Sequence, residues 1–165
     1  NRLETGQPIT NQKTVDLLEL MDESIEIVKP NIETKEQLLL RNYPKSLPAV
    51  FVDVDMIKRV VINLLENAAK FTPIGGKIEV GGKFDENWVT LWIRDSGPGI
   101  PKDFSEYIFE KFTRIKVDNA PKGVGLGLAF CRLAIIAHGG RIWVESEKSN
   151  GSCFYFTLPV KPESS

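Results

Sequence analysis

Residues 57–68 constrain the fold most: Ile57, Val60, Val61, Leu64, Leu65 and Ala68 recur at the three-four spacing of one buried helix face. A helix with a single apolar stripe must bury it against another layer. The neighbouring segments supply that layer. A run rich in Val and Phe at 49–54 precedes the helix, and two strand-like runs at 77–83 and 88–94 follow it, joined by a turn at 85–87. Asp53 or Asp55 stands where an N-cap is needed, and Thr72 with Pro73 closes the helix.

The remaining chain extends the same pattern. Leu17, Leu18, Met21, Ile25 and Val28 predict a helix over 15–28, which Pro30 should end or kink. A strand at 37–41 is separated from the run at 49–54 by the Pro-marked turn at 44–48. A third helix over 126–138 stops at Gly139 and Gly140, and strands at 141–146 and 152–159 finish the pattern. The polar opening, 1–13, contains Gly6 and Pro8 and no sustained periodicity, so it reads as a helix remnant followed by a linker. A chain of 165 residues buries one sizeable core and is short for two.

Between Gly97 and Gly123 lies a segment rich in Gly, Pro and charge, too long for an ordinary connection and of the kind that serves as a lid or binding loop. The net charge of −1 leaves no basic footprint for nucleic acid or an anionic membrane. The apolar run at 125–136 is interrupted by Arg132 and falls short of a bilayer span, and the first residues do not resemble a secretory signal, so a soluble chain is expected. Cys131 and Cys153 sit in apolar contexts without metal-ligand spacing. Two free thiols in a reducing cytoplasm are the natural reading, with a disulfide as the alternative.

Three short patterns carry chemistry. Asn63, Asn67 and Lys70 fall within about 60° of one another round the second helix, at about 100° per residue. Two amides and an ammonium so placed can share a magnesium ion and a phosphate chain, since an amide oxygen is a hard ligand and Lys a point charge. A solvated helix face has the same look. Asp95-Ser-Gly-Pro-Gly-Ile100 follows an apolar strand, where a carboxylate can accept from an exocyclic amine and Gly97 and Gly99 let the backbone approach a flat ligand. An ordinary turn uses the same residues. Lys122-Gly-Val-Gly-Leu-Gly-Leu128 runs into a helix whose free N–H groups suit phosphates, or else forms the hinge of a lid. Its alternate glycines and polar lead-in lack the context of a dinucleotide fingerprint.

Taken in order, these segments resemble the catalytic domain of sensor histidine kinases, within the gyrase, heat-shock-chaperone and mismatch-repair ATP-binding superfamily. The stretch 63–73, Asn-Leu-Leu-Glu-Asn-Ala-Ala-Lys-Phe-Thr-Pro, is similar to that family's N box. Residues 95–100 resemble its first glycine box, 108–112 (Ile-Phe-Glu-Lys-Phe) its F box and 122–128 its second glycine box. Gly151-Ser-Cys-Phe154 looks like the short glycine motif of the last hairpin, and Asn1-Arg-Leu-Glu-Thr-Gly6 like the end of a phosphoacceptor-domain helix.

The resemblance implies an α/β (α+β) two-layer sandwich: a mixed, largely antiparallel sheet of about five strands, three helices on one face, and a long lid over the nucleotide. It divides the chain into a helix end and linker at 1–12, a catalytic ATP-binding domain at 13–161 and a tail at 162–165. Asn67 would hold Mg2+, Lys70 would contact phosphate, Phe71 would line the nucleotide site and Asp95 would read the adenine amine, with Thr157 supporting Asp95 directly or through a water. Gly97, Gly99, Ile100 and Phe112 would line the site, joined by Lys122, Gly123, Val124, Gly125, Leu126, Gly127 and Leu128 of the second glycine box. Arg114 is a candidate phosphate contact, with a solvated lid charge as its alternative.

In the superfamily's ATPases a glutamate four residues before the magnesium asparagine activates water; here Asn63 stands there, and an amide takes no proton at neutral pH. Glu66 lies about 100° round the helix from Asn67 and suits an ion pair with Lys70 instead. His138, the sole histidine, lacks the acidic successor of a phosphoacceptor and reads as a helix-terminal residue favoured by the dipole. The implied activity is donation of the γ-phosphate of Mg-ATP to a histidine on a separate phosphoacceptor (dimerisation) domain, in a homodimeric parent that passes the phosphate to a response regulator. The isolated chain should be monomeric and should not autophosphorylate. A nucleotide-responsive binding module, or a serine kinase like the anti-sigma-factor kinases, is the alternative.

Overall fold

The computed structural model describes residues 9, 11–100, 108–109, 124–146 and 151–161. The chain runs β1 (Gln12–Val15), α1 (Leu17–Thr34), β2 (Leu38–Asn42), β3 (Val50–Asp53), α2 (Val54–Phe71), β4 (Lys77–Phe84), β5 (Trp88–Asp95), α3 (Val124–Ala137), β6 (Ile142–Ser146) and β7 (Ser152–Pro159). Five strands form one sheet in the order β2-β4-β5-β7-β6. Among the described strands only the β2–β4 pair is parallel. The mixed, largely antiparallel sheet and three helices make the expected α+β fold.

Strand alternation decides which face meets the helices. Ile78 and Val80 of β4, Val89, Leu91 and Ile93 of β5, and Phe154, Phe156 and Leu158 of β7 are all buried and share one face. The stripe of α2 that periodicity singled out, from Ile57 to Ala68, is buried in the same core. On the other face Trp143 stacks on Tyr155 at 5.2 Å between ring centroids, and Trp92 lies 6.2 Å from Tyr155.

Asp53 is the N-cap of α2, its carboxylate accepting from Met56 N at 3.1 Å. At the other end of α2, Gln37 Nε2 donates to Ala69 O at 2.9 Å and Thr72 O at 2.8 Å, and Lys35 Nζ donates to Ala69 O at 2.8 Å. These two side chains satisfy carbonyls that a helix end leaves orphaned, and a cation there suits the dipole.

Two local features depart from the sequence reading: Pro30 does not end its helix, and the polar opening carries a strand. Pro30 lies inside α1, which runs on to Thr34. The ring removes the donor for the Glu26 carbonyl, but both residues are exposed and water can serve it, while buried Ile32 anchors the last turn. The polar opening also ends in a strand: β1 pairs antiparallel with β3 in a separate two-stranded ribbon, so β3 stands outside the main sheet. Four residues with two charged or polar tips carry too little alternation to signal a strand.

Candidate functional site

α2 brings Asn63, Asn67 and Lys70 to one side of the helix, as their spacing requires. Asn67 is 6 % exposed, and its Nδ2 has no hydrogen-bond partner. A buried amide without a partner costs about 1–3 kcal/mol, a cost that a water or a bound ligand at this place would relieve. A half-turn of the amide presents its oxygen, a hard donor for a cation, in the same position. Asn63 behaves differently: its Nδ2 donates to Gly127 O at 3.4 Å, tying α2 to the start of α3.

Asp95 ends β5 opposite Ser152 of β7 and is buried at 4 % exposure. Its Oδ2 accepts from Ser152 Oγ at 2.7 Å and its Oδ1 from Gly97 N at 2.9 Å. Each oxygen keeps a second lone pair, so the carboxylate can still accept from a ligand amine. Burial pushes the Asp95 carboxyl above the ordinary carboxylate range, and the hydrogen bonds from Ser152 and Gly97 pull the other way.

The glycine loop after Asp95 lies against the end of α2. A Cβ on Gly97 would stand 2.6 Å from Phe71 O, which no side chain tolerates. Gly99 has φ of 79°, in the left-handed region. Lys70, Phe71, Gly97 and Pro98, with Lys35 and Ile74, line a cavity of about 610 Å³ in this corner. Ile100 is buried, and its N–H donates to Ser146 Oγ, which in turn donates to Gly151 O at 3.0 Å. The first glycine box is thus laced to the β6–β7 end as well as to α2.

Val124, Gly125 and Leu126 form the first turn of α3, whose N–H groups lack intrahelical partners, and Gly127 and buried Leu128 follow. Phe112, Arg114, Lys122 and Gly123 lie outside the described residues. Of the F box, Phe109 packs edge-on against Phe154 at 5.9 Å.

Three sequence expectations are corrected. Thr157 does not support Asp95: it pairs with Thr90, its Oγ1 accepts from Arg141 N at 3.0 Å, and it sits five residues along β7 from Ser152, about 17 Å at strand rise. Ser152 takes that role. Its place in the Gly151-Ser-Cys-Phe154 motif was legible, but the strand register that sets it opposite Asp95 was not. Glu66 and Lys70 do not form an ion pair; the four pairs found among the described residues are Lys29–Glu33, Arg41–Asp22, Lys58–Glu23 and Arg94–Glu79.

His138 is also not a dipole-stabilised cation. It is 8 % exposed, its Nε2 accepts from Asp53 N at 3.0 Å and its Nδ1 lies 2.7 Å from Ala134 O. An Nε2 that accepts carries no proton, so Nδ1–H donates to Ala134 and the ring is neutral. Burial holds its pKa below the ordinary value. With both nitrogens engaged, the ring is no nucleophile. Cys131 and Cys153 are free and buried.

Residues 52–162 match the family described as "Histidine kinase-, DNA gyrase B-, and HSP90-like ATPase". The adaptive-response sensory kinase SasA of Thermosynechococcus vestitus is 44 % identical over 150 residues, which cover 90 % of this chain and 39 % of that protein. The chain therefore spans about two-fifths of such relatives. The catalytic domain of histidine kinase ThkA superposes with a TM-score of 0.82 at 32 % identity, covering 93 % of this chain and all of that one. ThkA solved in complex with the response regulator protein TrrA matches at a TM-score of 0.78 and 30 % identity, over 93 % of this chain and 43 % of that one. No helix among the described residues is long and apolar enough to cross a membrane.

Proposed function

Because the chain belongs to the histidine kinase-, DNA gyrase B- and HSP90-like ATPase family, and within it to the catalytic domains of sensor histidine kinases, we propose that it binds Mg-ATP and presents the γ-phosphate to a histidine on a separate phosphoacceptor domain. The observation that carries this reading is the buried, partnerless amide of Asn67, on the same helix side as Lys70.

The residues fit the ligand part by part. Asp95 retains acceptor capacity for an exocyclic amine, and the close approach of Gly97 to Phe71 leaves backbone, not side chains, beside the base. Phe71, Gly99, Ile100 and Leu128 supply apolar surface for the ring. Asn67 offers an amide oxygen to magnesium, which when bound neutralises charge on the phosphate oxygens. Lys70 contributes a point charge, and the opening turn of α3 contributes N–H groups.

Asn63 holds no base, and its amide is spent on Gly127 O, so nothing at that position draws a proton from water. This arrangement favours transfer to a nucleophile from outside the chain over hydrolysis. His138 is sealed in the core, so the accepting imidazole must come from another domain, positioned in line with the phosphate. A cytoplasmic location suits two reduced thiols. A homodimeric parent and a downstream response regulator are the partners that fit this reading; ThkA has been solved in complex with the response regulator protein TrrA. Mixing the chain with its phosphoacceptor domain and γ-labelled ATP tests the reading. Labelled phosphohistidine on that domain is expected; ATP binding without any label there would overturn phosphotransfer.

A further inference from the structure

Three side-chain contacts join the middle of α2 to α3 between Gly127 and Cys131. Arg59 Cζ stands 4.0 Å from the centroid of the Phe130 ring, Asn63 Nδ2 donates to Gly127 O at 3.4 Å, and Cys131 Sγ donates to Val60 O at 3.7 Å. Arg59 and Asn63 are four residues apart on α2, so they stack one turn above the other, on the helix side that goes on to Asn67. Gly127 and Phe130 are three apart on α3 and stack in the same way. The contacts therefore form successive rungs between the two helices.

α2 carries the amide and ammonium of the candidate site, and α3 opens with its second glycine box. Whatever fixes the spacing between them fixes how far the N–H groups of α3 stand from Asn67 and Lys70. The Asn63 rung is a long hydrogen bond, and the Cys131 rung is a weak thiol donor. The guanidinium on the face of Phe130 is the rung with flat, extended contact. Arg59 is exposed and Phe130, half-buried, packs against the core, so removing the guanidinium takes away the rung without opening the core.

We propose that Arg59 is a positioning residue for the nucleotide: its cation–π contact with Phe130 holds the start of α3 at the distance from Asn67 and Lys70 that a phosphate chain needs. It touches no ligand and acts through α3. The proposal rests on the Mg-ATP reading of the site.

The test is calorimetric affinity for Mg-ATP, with the urea midpoint of the nucleotide-free protein measured alongside, for wild type, Arg59→Ala, Arg59→Lys, Phe130→Leu and the double variant Arg59→Ala/Phe130→Leu. Arg59→Ala should weaken binding about two- to fivefold, the scale of an exposed cation–π contact. Phe130→Leu should match it, and the double variant should be no weaker than the single ones because both remove one contact. Arg59→Lys keeps a cation but not the flat guanidinium and should restore only part of the affinity, while the urea midpoints of the two Arg59 single variants stay close to wild type. Wild-type affinity in Arg59→Ala, or additive losses in the double variant, would overturn the positioning role while leaving the nucleotide site standing. Failure of the wild type to bind Mg-ATP would instead remove the functional reading itself.

Discussion

Ser152 Oγ donates to Asp95 Oδ2 at 2.7 Å across the β5–β7 pair, and Gly151, just before it, packs its Cα against the Asp95 backbone so closely that a Cβ would lie 2.2 Å from Asp95 O. The hydroxyl spends its one donor on the carboxylate, which must then face a ligand as an acceptor. Asp95→Asn replaces half of that acceptor surface with an NH2 group. We expect ATP affinity to fall by about tenfold or more, the scale of a hydrogen bond to a charged group. Folding stability should hold or rise, because the buried charge is gone. Calorimetry and urea unfolding on the same preparation separate the two effects, and unchanged affinity would contradict the base-reading role.

The pH dependence of that carboxyl has a definite sign. Its folded pKa lies above the ordinary value, so the folded state binds the proton more readily than the unfolded chain. Ionised Asp95 therefore costs stability at neutral pH, and that cost is relieved as pH falls from the raised folded value towards the ordinary one. Comparing urea midpoints of wild type and Asp95→Asn across this range should show the gap between them narrowing at the acid end. A gap that widens on acidification would reverse the assignment.

Asn67→Ala provides a complementary result. Removing an amide whose Nδ2 is buried and partnerless should leave the stability of the free protein unchanged or slightly higher. Magnesium-dependent nucleotide affinity should drop by about tenfold or more, the scale of a lost charge-assisted contact. A titration in which adding Mg2+ strengthens ATP binding equally in the variant and the wild type would remove Asn67 from the metal site.

The division between what sequence made legible and what it did not follows the range of the interactions. The α2 stripe from Ile57 to Ala68, the hairpin of β4 and β5 and the glycine boxes are set by residues within one or two turns of each other, and periodicity reads them. Ser152 opposite Asp95, His138 against Asp53 and Arg59 over Phe130 join residues 57, 85 and 71 positions apart, fixed only by register and helix packing. Motif order picked out Asn67 and Asp95, and the fold buries both of these polar side chains. It misplaced Thr157 because alternation alone does not say which face of β7 meets the helices until the β5 pairing is known.

The end of α2 offers a stability prediction that sequence did not suggest. Gln37 is buried and gives both of its amide protons to the last carbonyls of that helix, Ala69 O and Thr72 O. Gln37→Ala should destabilise the protein by about 1–3 kcal/mol, because a buried carbonyl is left without a donor. Lys35→Ala should cost less, since Lys35 is more exposed and water can take its place. Equal losses for the two variants in urea unfolding would contradict this ranking.

His138 yields the last prediction. Its folded pKa lies below the ordinary value of 6.5, because burial disfavours the cation. The bond from Asp53 N to Nε2 requires the neutral ring, and Asp53 is the residue that caps α2. A histidine with a depressed folded pKa contributes stability that is fully present above 6.5 and is lost as pH falls through the folded value, where the unfolded chain binds the proton first. Unfolding midpoints measured from pH 8 to pH 5 should therefore fall for the wild type below about 6.5. His138→Ala should start lower at pH 8, having lost the tie between α3 and the α2 cap, yet show a flatter acid slope over the same interval. Because that tie reaches the N-terminal end of the helix that carries Asn67, the loss at pH 8 should be accompanied by weaker Mg-ATP binding. Parallel acid slopes in the two proteins would show that another group, and not His138, carries the transition.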